Sequence, residues 1–158
     1  MRSVDLRVLV RAGLLTGLVD GLFSSVLAVF FYGSTATRLF QGVAGTLLGP
    51  DAMTGGMRTA AIGLLMHFGV AFAWSSVFLL LVMRAGTVRR ALTTRSGIVG
   101  LAAVYGPLVW LFMSMVVIPA MVRRPPAFNV RWWVQLIGHF PFVGLPIVAS
   151  CARGRRHL

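Results

Sequence analysis

The sequence contains no lysine and no glutamate, and only three aspartates stand among its 158 residues. Charged residues make up 11% of the chain, and all but the three aspartates are arginine. A water-soluble domain carries about 25%, so a globule built from this chain has too little polar surface to face water all round. The single cysteine, Cys151, excludes an internal disulfide. It closes the last apolar run, close to Arg153, and reads as an interfacial residue. Motifs with a mechanical meaning are also missing: there is no HExxH, CxxC, P-loop, GxGxxG or GxSxG. Intramembrane proteases and acyltransferases need a nucleophile with a base, or a carboxylate pair. One central aspartate supplies neither. No catalytic residue and no metal site is assigned, and enzymatic activity is not expected.

What the chain has is apolar length. It is 58% hydrophobic, with a mean hydropathy of +0.87. A transmembrane helix needs about 20 mostly apolar residues, and four segments qualify: Ala12–Tyr32, Thr59–Met83, Gly97–Met121 and Trp132–Cys151. The expected fold is therefore an all-α bundle of four membrane-spanning helices, forming one integral membrane domain over 1–158. The first segment follows Arg2, Arg7 and Arg11, as a signal peptide would. It is too long for one, Asp20 interrupts it, and no A-x-A site follows.

The formal charge of +12 raises the question of nucleic acid. The arginines, however, sit between long apolar runs, where a membrane protein keeps them. Nucleic-acid modules are instead polar on both sides of a basic face. The expected partners are membrane lipids, anionic headgroups included. Orientation follows from the same residues. The N-terminal tail, the second loop and the C-terminal tail hold ten arginines, against five in the first and third loops. That bias places both termini in the cytoplasm.

The first outer loop, from Gly33 to Arg58, is long and rich in glycine. Within it Leu39, Phe40, Val43 and Leu47 recur at helical spacing, with Thr37, Arg38 and Gln41 opposite. This pattern predicts a short amphipathic helix at the outer interface, between spans one and two. A re-entrant half-helix is the alternative, since Gly42, Gly45 and Gly49 permit close packing. In the second outer loop, Arg123-Arg124-Pro125-Pro126 makes a stiff basic turn. Trp132 and Trp133 after it read as an interfacial anchor.

The polar residues inside the spans carry most of the information. Asp20 falls near the middle of span one, where a carboxylate costs at least about 2.5 kcal/mol to insert. Thr16, Asp20 and Ser24 repeat every four residues and form one polar stripe. Gly13, Gly17 and Gly21 run beside it, a tandem GxxxG that admits a neighbouring helix or a second copy of the chain. His67 lies in span two on a row of small residues, Ala60, Gly63, Ala71 and Ser75. His139 lies in span four on a row with Gln135, Pro146 and Ser150. At about 1.5 Å per residue, the three ionisable groups stand within several ångströms of one depth. A buried polar centre of Asp20, His67 and His139, with Thr16, Ser24 and Gln135, is therefore expected. Three readings compete for it. It is packing glue in a membrane protein without further chemistry, a relay in a small proton- or ion-coupled transporter, or a bis-histidine haem site through His67 and His139. No cofactor is expected on the first two readings. Pro107, Pro141 and Pro146 break the helical hydrogen bonding of spans three and four and predict kinks there.

The glycine-rich first span, the histidine in the second, the series Gly97, Gly100, Gly106 and Pro119 in the third, and the Gly138-His139 pair in the fourth form a pattern over most of the chain. It resembles small four-helix bacterial inner-membrane proteins of the YagU-like kind. The resemblance implies a bacterial inner (plasma) membrane location and no enzymatic role.

Overall fold

The computed structural model describes residues 6–155. Arg2 and Arg156, which count toward the orientation argument, lie outside the described residues. Among the described residues every element is helical. In chain order they are α1 (Leu6–Phe31), α2 (Ala36–Leu48), α3 (Gly56–Arg84), α4 (Gly86–Ala91), α5 (Arg95–Val122) and α6 (Val130–Gly154). A 3-10 turn, Pro50–Thr54, joins α2 to α3. Four of these helices, α1, α3, α5 and α6, are long and apolar enough to cross a membrane. Each extends past its apolar run, because the backbone keeps its helical hydrogen bonds until a cap ends them. Thr35, Thr94 and Asn129 cap the starts of α2, α5 and α6, each accepting the N–H three residues on.

The helices pack in the order α3–α1–α6–α5. Small residues face inward and large apolar ones face out. On α1, Gly13, Gly17 and Gly21 are buried, while Leu14, Leu18 and Leu22 lie exposed. That inside-out distribution is the one lipid selects, since packing rather than water exclusion drives association there. The glycine stripe is covered within the chain itself. Phe72 sits over Gly13, Phe68 over Gly17 and His67 over Gly21, so α1 and α3 run antiparallel. The buried row of α3 is Ala60, Gly63, Ala71 and Ser75, continued by Phe78.

Along α5 and α6 the contact is backbone to backbone. A side chain at Gly106 would meet the carbonyl of His139, and one at Gly144 the carbonyl of Ala102. On the far side of the bundle α5 barely reaches α3. The Tyr105 hydroxyl donates to the Trp74 carbonyl at 2.7 Å, and its ring lies edge-on to Phe78 with centroids 4.8 Å apart. Tyr105→Phe removes this hydrogen bond between the two helices. It is expected to cost about 1 kcal/mol, read as a lower midpoint in a detergent melt with the helical circular dichroism unchanged.

Below this contact the bundle closes around Phe78, Ile147, Val148 and Cys151. Cys151 is 1% exposed, so it packs into the core of the bundle at the end of the apolar run. Hydropathy marks where an apolar run ends. It does not mark where a helix stops packing. Trp132 likewise is buried, against Trp110, Phe128 and Trp133, and only Trp133 faces out.

Three π-helical turns interrupt the long helices, at Leu27–Phe31, Met113–Val117 and Phe140–Gly144. The third contains Pro141, which has no N–H to give. The Phe140 N–H turns instead to the Ile137 carbonyl. The wider turn shifts the phase of α6, so that Val143, Ile147 and Cys151 are buried together with Ser150.

Candidate functional site

Above the closed core the four long helices separate and enclose a cavity of about 390 Å³. All six residues of the expected polar centre line it: Thr16, Asp20 and Ser24 from α1, His67 from α3, and Gln135 and His139 from α6. Most of the remaining wall is apolar and aromatic, with Trp74 from α3 and Trp110 from α5 in it. Leu39, Val43 and Thr46 of α2 complete it.

The glycine stripe explains how His67 reaches this place. With no side chain at Gly21, the imidazole lies directly on α1, where Nε2 donates to the Gly17 carbonyl at 2.9 Å. A carbonyl only accepts, so Nε2 carries the proton and Nδ1 is left facing Asp20. The gap from Nδ1 to Asp20 Oδ2 is 4.0 Å, longer than a direct hydrogen bond. Asp20 and His67 thus face each other across a gap that no direct hydrogen bond closes. Phe40 of α2 and Phe68 pack edge-on against the His67 ring, with centroids 5.9 and 5.8 Å away.

His139 is held the other way round. Its Nδ1 donates to the Gln135 carbonyl at 2.7 Å, inside its own helix, which leaves Nε2 as the acceptor. Its ring packs on Trp110 at 4.9 Å. The Gln135 amide donates to the Ser24 hydroxyl at 3.3 Å and so ties α6 to α1. Nearby, the Phe23 and Phe142 rings stack at 4.2 Å, and Phe23 lies against Gly138. Both histidines thus have one nitrogen fixed by a backbone carbonyl, which sets the ring orientation and the tautomer.

Several polar atoms in this wall are buried without a partner: Asp20 Oδ1, Thr16 Oγ1, Gln135 Oε1 and the Trp110 indole N–H. Such groups normally pair, because an unmade hydrogen bond in a dry site costs about 1–3 kcal/mol. Their balance favours acceptors.

For haem, His67 has Nε2 on the Gly17 carbonyl and Nδ1 toward Asp20, so axial ligation requires it to leave one of them. Among the described residues no group of three or more His, Cys, Asp or Glu side chains is placed to hold a metal ion.

Two features in and around the site escape the sequence argument. Gln41 is 4% exposed and donates to the Gly56 carbonyl at 3.1 Å, although the amphipathic pattern puts it on the outer face of α2. The reason is Gly63, whose missing side chain lets the α2 backbone at Phe40 and Ala44 lie directly on α3 and turns that face inward. Trp110 is the other. Its position is its signal, since tryptophan belongs at the membrane interface and a mid-span indole N–H needs a buried acceptor.

No protein-family model, no curated protein and no solved structure matches the chain.

Proposed function

We propose that this chain is a multi-pass membrane protein that acts as a small proton-coupled carrier, with the cavity around Asp20 as its site. The observation that carries this reading is the convergence of Asp20, His67 and His139 on one cavity in which an Asp20 oxygen has no partner. Intramembrane ionisable residues are costly and mark ion and proton pathways. A purely packing role accounts for a satisfied polar pair. It does not account for a cavity walled by unpaired polar atoms. The π turn at Phe140–Gly144 beside His139, and the one at Met113–Val117 on the neighbouring helix α5, supply the irregular backbone that such sites use.

The arginine asymmetry supports both termini on the cytoplasmic side, and the resemblance to YagU-like proteins supports a bacterial inner membrane. On that orientation α2 lies on the outer side, where Leu39, Val43 and Thr46 line the cavity.

The test is proton flux in liposomes that hold the purified protein and a trapped pH-sensitive dye. Asp20→Asn keeps the shape of the side chain and removes its proton exchange. It is expected to lower flux to the protein-free background, a drop of at least about tenfold, with insertion and helical content unchanged. Equal flux from the wild type and Asp20→Asn sinks the proposal.

A further inference from the structure

The cavity and its surroundings also say what kind of molecule the site takes. This inference rests on the proton-coupled reading above. We propose that the substrate is a lipophilic organic cation, admitted sideways from the groove between α3 and α5 and exchanged for the proton on Asp20.

Charge gives the sign. The ionisable groups lining the cavity are Asp20 from α1, His67 from α3 and His139 from α6; α2 and α5 contribute none. Among the described residues no arginine reaches the lining. A phosphate or carboxylate would therefore meet the like charge of Asp20 with no arginine to receive it. A cation meets the unpartnered Asp20 Oδ1 and Gln135 Oε1. Thr16 adds a second, independent pointer, because it is 2% exposed and its hydroxyl, on the same wall, has no partner. Trp74 and Trp110 line the cavity, and a tryptophan ring attracts a desolvated cation.

The groove gives the apolar part. It measures about 770 Å³ and is lined by apolar and aromatic residues alone, apart from the Tyr105 hydroxyl, which is engaged with Trp74. Trp74 and Val109 line both the groove and the polar cavity, so the two adjoin at that seam. A molecule with an apolar body can then pass from the lipid side into the polar site without crossing water. The exchange balances: when a monovalent cation displaces the Asp20 proton, one proton leaves and the charge of the cavity is unchanged.

The experiment is binding of tetraphenylphosphonium to the full chain in a mild detergent, with empty micelles as the control. At about pH 8 the wild type is expected to bind it with release of a proton into weakly buffered solution. At about pH 5 the affinity is expected to fall at least tenfold, or about 1.4 kcal/mol. Asp20→Asn should lose at least about tenfold at pH 8, whereas Asp20→Glu, which keeps the carboxylate, should hold the cation. The neutral near-isostere triphenylmethanol should bind far more weakly. Equal affinity for the neutral compound, equal affinity in Asp20→Asn, or no binding at pH 8 overturns the inference. If Asp20-dependent proton flux persists without tetraphenylphosphonium binding, the substrate class is wrong and the carrier reading stands. If Asp20-dependent binding occurs without proton release, the cation site stands and the exchange is overturned.

Discussion

Replacing Gly106 with alanine is expected to destabilise the protein by about 3 kcal/mol, while alanine at Gly100 in the same helix is expected to be neutral or slightly stabilising. The difference lies wholly in what the added methyl meets. At Gly106 it falls on the His139 backbone carbonyl and the Gly144 amide; at Gly100 nothing lies within 4 Å. Backbone cannot swing aside as a side chain can, so α5 and α6 must move apart. Gly144→Ala meets the Ala102 carbonyl from the other direction and should cost a similar amount. Where the neighbour is instead a ring, as at Gly13 and Gly17 against Phe72 and Phe68, repacking absorbs part of the insult. Helix propensity runs the other way, favouring alanine over glycine by about 1 kcal/mol, which is why Gly100→Ala should not lose stability. Thermal melts of the purified variants in one detergent decide it. Equal midpoints for Gly106→Ala and Gly100→Ala would show that α5 and α6 do not touch there. Because the Gly106 contact is the His139 carbonyl itself, separation of these helices also displaces His139, and flux should fall with stability.

This helix crossing marks the limit of what the sequence alone reveals. The four long helices are legible because about 20 apolar residues have few other uses. The inward faces of α1 and α3 are legible too, since one undistorted helical period connects Gly13, Gly17 and Gly21, and another connects Ala60, Gly63, His67, Ala71 and Ser75. In α6 the π turn breaks the period, so the row through Gln135 and His139 does not predict that Cys151 is buried. Gly106 carries no periodic signal, for its partner is backbone on a helix about thirty residues away, and no single-helix pattern encodes that. The cavity was legible as a set of residues and not as a space. Asp20, His67 and His139 can be placed at similar depth by counting residues. That Trp110 completes the wall, and that α5 leaves a groove beside α3, depend on which helices neighbour one another.

The pairing of Asp20 with His67 allows structure and function to be separated in one double-mutant cycle. His67→Leu removes the group facing Asp20 Oδ2 and leaves neither carboxylate oxygen with a protein partner. Polar interactions between membrane helices are worth about 0.6 kcal/mol on average and about 1.7 at most. The 4.0 Å gap argues for the lower part of that range, but His67→Leu also deletes the Nε2 bond to the Gly17 carbonyl. Together these losses should lower stability by about 1–2 kcal/mol. Adding Asp20→Leu removes the stranded carboxyl and should recover most of it, since taking out both partners of a buried polar pair costs less than taking out one. Flux should behave otherwise: it should fall to background in Asp20→Leu, in His67→Leu and in the double variant alike, because each lacks one half of the proton site. Recovery of stability without recovery of flux is the pattern of a pair kept for its chemistry. If flux survives in the stable double variant, the pair is packing glue, and the cavity works through His139 or not at all.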